Sequence, residues 1–334
     1  MINNSNIQQA SSKFEFLTSK LNNMQTIGII GGSGFIGSWV TKIFLEENYK
    51  VKVSSTDISN KSKYEHLQAL ANAANLEISP MDVLDIPSIE VFVEGCDIIV
   101  HAGTPFMLDV KDPQKELFEP TVKGTENFLE IIAKTAGIKK VIFVASVAAW
   151  NTSFPMAPAS YPANHIFSEN DTPYIGDQDH PYAQAKYYAD QAVRNFITNH
   201  PEVTFEITTV SPVFVIGNSL SSRQDSTSMG MQFLFKNKIA PNPFVEMMFA
   251  NDVMFAMVDV RDVAQSIFNA ATLSGLHGKN YLLTSESYKI SDITLMLNQQ
   301  SPLHTPEFIY SNALAKNELG ISFTSAQNTL NNCN

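Results

Sequence analysis

From residue 25 onward, short unbroken apolar runs alternate with longer stretches in which apolar residues recur every three or four positions. The runs at 26–30, 50–55, 76–79, 97–101, 140–146 and 205–211 read as strands buried on both faces. Between them, 35–47, 64–75, 88–94, 116–135 and 182–199 carry helical periodicity. Strand and helix in alternation imply right-handed crossovers and an α/β fold built on a doubly wound parallel sheet. Past residue 212 the rhythm loosens. Residues 218–250 show no firm period, and 260–271, 280–283 and 290–298 then supply helix, strand and helix. The expected division is a flexible tail over 1–24, a sheet domain over 25–211 with later returns near 255–285, and a smaller lobe over 212–334. Such a lobe, set over the carboxyl ends of the strands, would roof a substrate cleft.

The turn after the first strand is Gly31-x-x-Gly34-x-x-Gly37, with Phe35 and Ile36 opening the helix. The first glycine permits a tight turn, the second lets a pyrophosphate approach the backbone, and the third lets helix pack closely on strand. The helix N-terminus offers unpaired N–H groups and a positive dipole end to phosphate. Standing between a strand and a helix, the pattern predicts a Rossmann-type dinucleotide site rather than an ordinary turn. The second strand ends at Ser55, followed by Thr56 and Asp57, then Lys61 and Lys63. An NAD site usually ends this strand with an acidic residue for the ribose hydroxyls; small hydroxyls instead leave room for a 2′-phosphate that a lysine neutralises. NADP(H) is therefore favoured. Asp57 turned inward would speak for NAD(H), and the two lysines read almost as well as solvated surface charges.

Tyr182 and Lys186 stand four apart in a helical stretch opened by Pro181, so phenol and ammonium share a face. In a chain with ten tyrosines that spacing is weak by itself. Position adds weight, because the pair follows the strand whose end carries Ser146, beside the cleft of a doubly wound sheet. Alone, Ser146 would read as a strand-end hydroxyl capping backbone. Hydride reduction of a carbonyl leaves an alkoxide that needs a proton, and a phenol of pKa ~10 exchanges protons reluctantly near neutrality. A lysine ammonium ~4 Å away would contribute about 4 kcal/mol at an effective dielectric of ~20, enough to draw the phenol towards neutrality. Ser146 would donate to the carbonyl oxygen as charge develops. Ser146, Tyr182 and Lys186 are the expected catalytic group.

With these residues in place, the chain resembles the extended short-chain dehydrogenase/reductases of the NAD-dependent epimerase/dehydratase superfamily. Within them it is similar to the dihydroflavonol reductase, cinnamoyl-CoA reductase and carbonyl reductase branch. The likeness spans 25 to about 325 and rests on segments in the same order: GFIGSW at 34–39, GCDIIVHAGTP at 95–105, EPTVKGT at 119–125, FVAS at 143–146, PYAQAK at 181–186, SPVFVIG at 211–217 and VDVRDVA at 258–264. The resemblance implies that Ser146, Tyr182 and Lys186 form the catalytic triad. It implies that Asp82 and Val83 hold the adenine, that Ala102, Gly103 and Thr104 line the cofactor, and that Pro212, Val213 and Val215 support the nicotinamide carboxamide. Lys63 falls where the branch carries a lysine near the 2′-phosphate. Thr56 stands in place of the branch's usual arginine, which weakens the NADP inference, and Ala185 and Ala145 replace residues beside the catalytic lysine and serine.

Composition narrows the partners. The 334 residues include 22 basic and 33 acidic side chains, for a net charge of −11. Only three of the basic residues are arginine, at 194, 223 and 261. An acidic chain repels nucleic acid and anionic membrane, and no apolar run reaches the ~20 residues of a membrane span. Two cysteines, Cys96 and Cys333, cannot build a disulfide framework or a cysteine zinc cluster, so no metal and a cytoplasmic setting are expected. The expected partner is a small carbonyl or alcohol substrate, acted on by a monomer or homodimer. Phe106, Met107, Trp150 and Phe214, with Met229, Met231 and Phe235, could wall an apolar pocket or simply pack the lobe. The leading function is reduction of an aldehyde or ketone. A nucleotide-sugar epimerase or dehydratase is the alternative, disfavoured by the scarcity of basic residues for a diphosphate. A dinucleotide-sensing regulator is the second, disfavoured by the presence of both Tyr182 and Lys186.

Overall fold

In the computed structural model, which describes residues 24–104, 110–158, 160–162, 164–223 and 226–333, the buried apolar runs form strands. In chain order these are β1 (Thr26–Ile30), β2 (Lys50–Ser55), β3 (Leu76–Pro80), β4 (Ile98–His101), β5 (Lys140–Val144), β6 (Glu206–Pro212), β7 (Phe214–Ile216), β8 (Met254–Asp259), β9 (Asn280–Leu283) and β10 (Glu286–Lys289). Seven of them make one sheet in the order β3-β2-β1-β4-β5-β6-β9, with every neighbouring pair parallel. The α/β doubly wound, Rossmann-type sheet expected from the alternation is present. Alternate side chains point to opposite faces and so divide into two cores. Ile27, Ile29, Val100 and Ile142 pack with Phe44, Val53 and Ile267 on one side. Ile30, Ile99, Val141 and Phe143 pack with Phe92, Phe128 and Phe196 on the other.

β1 and β4 lie side by side, Ile30 opposite His101, yet the chain leaves them in opposite directions across the sheet. That reversal opens a crevice beyond their carboxyl ends. The helix Phe35–Glu46 descends from it after β1. The helix Pro181–Asn199 enters from the β5 side.

The smaller lobe is built on a second sheet, β10-β8-β7, in which β8 pairs antiparallel with β10 and parallel with β7. Phe214, Phe235, Phe255, Met248 and Met296 form its core. Only Val213 separates β6 from β7, and its N–H donates to the Leu283 carbonyl at 3.1 Å, so the passage between sheets is held by backbone bonding. After β8 the chain returns to the large sheet. The helix Val260–Thr272 buries Val260, Val263, Ala264, Ile267, Ala270 and Ala271 on one stripe, and β9 then pairs with β6.

Local chemistry explains where the structure departs from the periodicity. Only Glu65–Gln68 of the 64–75 stretch is α-helical, and a 3₁₀ turn takes up Ala73–Asn75. Asn72 breaks the pattern by adopting φ 59°, while its Nδ2 donates to the Leu45 carbonyl at 2.9 Å. The 116–135 pattern begins as the wider π-helix Gln114–Lys123 and becomes α-helical at Gly124–Lys134. Pro120 within it lacks the N–H that an α-helical turn would use. Residues 218–250 hold two helices that periodicity does not reveal, Thr227–Asn237 and Pro243–Ala250. Ser226 caps the first and Asn242 the second, with Lys238 left-handed at φ 55° between them.

Candidate active site

The loops leaving β1 and β4 meet along their backbones. Gly31 adopts φ +75°, and a Cβ there would lie 2.7 Å from the Gly103 Cα. A Cβ on Gly37 would lie 2.0 Å from the Gly31 carbonyl oxygen. The turn is closed by Gly34 N–H donating to the Gly31 carbonyl at 3.0 Å. Gly34 then caps the Phe35–Glu46 helix without a side-chain bond, leaving the first-turn N–H groups at Phe35, Ile36 and Gly37 without a side-chain acceptor. A side-chain-free cradle ahead of such a helix end fits a dinucleotide pyrophosphate.

At the end of β2, Ser54 Oγ accepts from Gly31 N–H at 3.0 Å, joining strand end to glycine loop. Ser55 Oγ donates to the Asp57 carbonyl at 3.0 Å. The Asp57 carboxylate turns into its own loop, accepting from Ser59 N–H at 3.0 Å and Ser59 Oγ at 2.6 Å. These bonds hold it below the usual carboxylate range. Lys63 Nζ donates to Thr56 Oγ1 at 3.2 Å. Asp82 and Val83 follow β3; Asp82 Oδ1 accepts from Leu84 N–H at 2.9 Å, and the Val83 carbonyl accepts from Asn127 at 3.2 Å.

The catalytic candidates come from two elements. The β5 strand stops at Val144, short of the expected 146, and Ser146 caps the 3₁₀ turn Val147–Ala149 by accepting from Ala148 N–H at 3.1 Å. Pro181 opens the facing helix, and Tyr182 N–H donates to His180 Nδ1 at 3.1 Å. The Ser146 hydroxyl acts on the Tyr182 phenol and favours its ionised form. One turn on, Lys186 is buried and its ammonium donates to Thr104 Oγ1 at the end of β4. Burial pushes the Tyr182 phenol up to about 12, against the opposing pull of the Ser146 hydroxyl. Burial also draws Lys186 down to about 8. The expected lowering of the phenol by the lysine is therefore not what this structure displays: burial sets the shift of the phenol, and the lysine ammonium is engaged by Thr104.

These groups line a cavity of about 820 Å³. Ala102, Thr104, Ser146, Tyr182 and Lys186 face it from the large sheet, and Pro212, Val213 and Val215 from the crossing into the lobe. Phe154, Met156, Phe214, Met231, Phe244, Met247 and Phe255 supply an apolar wall. At the polar edge, the Asp179 carboxylate accepts from Thr152 at 2.5 Å and from Ser153 at 3.0 Å.

Of the expected pocket residues, Phe214 and Met231 line the cavity, whereas Trp150, Met229 and Phe235 do not. Trp150 is buried beneath the Arg194 guanidinium, 4.6 Å from its ring centroid, and Phe235 is fully buried in the lobe core. Phe106 and Met107 lie outside the described residues. Phe244, Met247, Phe255 and the Asp179 group were not legible as site residues. Asn242-Pro243, a cap followed by a first-turn proline, was the available signal for the helix that carries two of them. Among the described residues no cluster of His, Cys, Asp or Glu could hold a metal ion, and no helix is long and apolar enough to cross a membrane.

The cinnamoyl-CoA reductase CAD2 of Medicago truncatula is 28% identical over 295 residues, 87% of this chain and 85% of that protein. The anthocyanidin reductase of Arabidopsis thaliana is 27% identical over 302 residues, 88% and 84% of the two chains. Among solved structures, Gre2 of Candida albicans in complex with NADPH superposes with a TM-score of 0.77 at 24% identity, covering 92% of this chain and 97% of that one. The profile of the NAD dependent epimerase/dehydratase family matches residues 27–283. The chain is an oxidoreductase, and it belongs to the NAD dependent epimerase/dehydratase family.

Proposed function

We propose that the protein reduces an aldehyde or ketone with an apolar body to the alcohol, using NADP(H), with Ser146, Tyr182 and Lys186 as its catalytic residues. One observation carries the reading: Ser146 and Tyr182 stand together at the wall of an apolar cavity, with the buried Lys186 one helical turn from Tyr182. When bound, the reduced nicotinamide supplies the hydride. Ser146 donates a hydrogen bond to the carbonyl oxygen as negative charge builds there. Tyr182, whose phenol stays protonated well above neutral pH, gives that oxygen its proton and is reprotonated from solvent. Lys186, fixed by Thr104, places a positive charge beside the reacting oxygen and the phenolate that forms.

Asp57 supports the NADP(H) choice, because its carboxylate is engaged by Ser59 rather than presented at the strand end, while Lys63 lies against Thr56. Gly31, Gly34, Phe35, Ile36 and Gly37 would hold the pyrophosphate. Asp82 and Val83 would hold the adenine, with Ala102, Gly103, Thr104, Pro212, Val213 and Val215 along the nicotinamide half. Lys186 is the only lysine or arginine among the described cavity residues. That favours a neutral substrate over a nucleotide sugar, whose diphosphate would need several cations.

The test is a panel of aldehydes and ketones offered with NADPH and with NADH, following loss of the reduced nicotinamide. We expect turnover of an apolar member with NADPH preferred. Tyr182→Phe should lower the rate by about 10²–10⁴ while NADPH still binds. Turnover unchanged by that substitution would remove Tyr182 from the mechanism, and a preference for NADH would overturn the cofactor assignment.

A further inference from the structure

The three arginines reach partners at very different distances along the chain. Arg194 pairs with Asp190 at 2.6 Å, and Arg261 with Asp259 at 2.5 Å. Arg223 is placed differently. It belongs to the segment that follows β7 in the smaller lobe, yet its guanidinium donates to the Lys63 carbonyl at 3.0 Å, across 160 positions of sequence. The same segment is tied to the first helix of the large sheet, where Trp39 Nε1 donates to the Asn218 carbonyl at 3.0 Å.

Lys63 is the residue whose ammonium meets Thr56, directly beyond β2. That strand end is where the adenosine ribose of a dinucleotide lies in this fold. It carries hydroxyls at Ser54, Ser55 and Thr56, and the one carboxylate beside it, Asp57, is turned onto Ser59. His66, on the next turn, bonds Ser38 Oγ at 2.8 Å; burial lowers its pKa, and the Arg223 charge lowers it further against the opposing effect of Glu65. The Arg223 charge thus acts at the junction of the 56–66 segment and the first helix. A phosphate dianion there would meet a lysine from one lobe and a guanidinium from the other. The guanidinium is the stronger, bidentate partner.

We propose that Arg223, delivered by the smaller lobe, binds the adenosine 2′-phosphate together with Lys63 and is a determinant of NADP(H) over NAD(H). The proposal rests on the cofactor reading above and deepens it. Beyond walling the substrate cavity, the lobe then also completes the adenosine end of the cofactor site.

Dissociation constants for NADPH and NADH, measured by calorimetry on the whole protein without substrate, test this directly. Arg223→Gln should weaken NADPH by about ten- to a hundredfold, leave NADH within about twofold, and flatten the salt dependence of NADPH binding. Arg223→Lys should recover part of the loss. Retained NADH affinity shows that the variant is folded. If wild type prefers NADPH and Arg223→Gln keeps that preference, the inference fails while the cofactor reading stands. Equal losses for both dinucleotides would make Arg223 a fastener between lobes and would also overturn it. A wild type that binds both alike removes the cofactor reading and this inference together.

Discussion

The His101 imidazole packs against Phe128 and Phe143, with ring centroids 5.0 and 5.4 Å away, and its Nε2 is buried without a hydrogen-bond partner among the described residues. Burial lowers its pKa from 6.5 to about 4, and the positive charge of Lys186 adds to the effect. A folded state that holds this ring neutral binds fewer protons than the unfolded chain between those two values. Stability is therefore intact above pH 6.5 and falls as the pH drops towards 4. The shift corresponds to about 3 kcal/mol. His101→Phe keeps a ring of similar size and removes the proton, so urea titrations at the two ends of this window should show a loss about 3 kcal/mol smaller than in wild type. Carboxylates such as Asp97 and Asp259 titrate in both proteins and cancel in the comparison. Identical losses would mean that His101 opens to water or finds a partner as the pH falls.

At the scale of elements, the helix Val260–Thr272 depends on one buried carboxylate. Asp259 caps it by accepting from Arg261 N–H at 2.7 Å, and the same group accepts from the Arg261 guanidinium at 2.5 Å and from Thr329 Oγ1 at 2.8 Å. Asp259→Ala removes the cap and leaves the buried Thr329 hydroxyl only its longer bond to the Ser325 carbonyl at 3.3 Å, at a cost of about 2–4 kcal/mol in denaturant unfolding. A cost under ~1 kcal/mol would place the anchorage elsewhere. Elements with this much sequence signal were legible: β1, β2 and β9 match their apolar runs, and the Val260–Thr272 stripe is strongly periodic. Elements fixed by tertiary context were not. β7 has only three residues and β10 reads Glu-Ser-Tyr-Lys with no apolar run, and both are defined by pairing with β8. The Pro243–Ala250 helix exposes and buries side chains around a short circumference, so its cap was its clearest mark. The site divides in the same way. The glycine loop and the Tyr182–Lys186 spacing are local and could be read. The Asp179 acceptors and the reach of Arg223 to Lys63 join distant segments, and only folding reveals them.

At the scale of the molecule, the two sheets share one chain path and several fasteners. β9 and the Val260–Thr272 helix return to the large sheet after β8, while Trp39 Nε1, on the first helix, donates to the Asn218 carbonyl beyond β7 at 3.0 Å. Neither sheet can lose its order without exposing part of the other's core. Unfolding should therefore be one cooperative heat-absorption peak rather than two. The proposed cofactor site would draw on the loops of β1, β2, β3 and β4 and on the β6–β7 crossing, so a bound dinucleotide should stabilise the whole unit rather than half of it. At a free concentration one hundred times its dissociation constant, it should add about 2.7 kcal/mol. Differential scanning calorimetry with and without NADPH measures both effects. Two resolved peaks, of which NADPH moved only one, would show that the lobes unfold independently and that the cofactor is held by the large sheet alone. A single peak moved upward by NADPH, with a smaller shift in Arg223→Gln at the same ligand concentration, would tie the smaller lobe to both the fold and the cofactor.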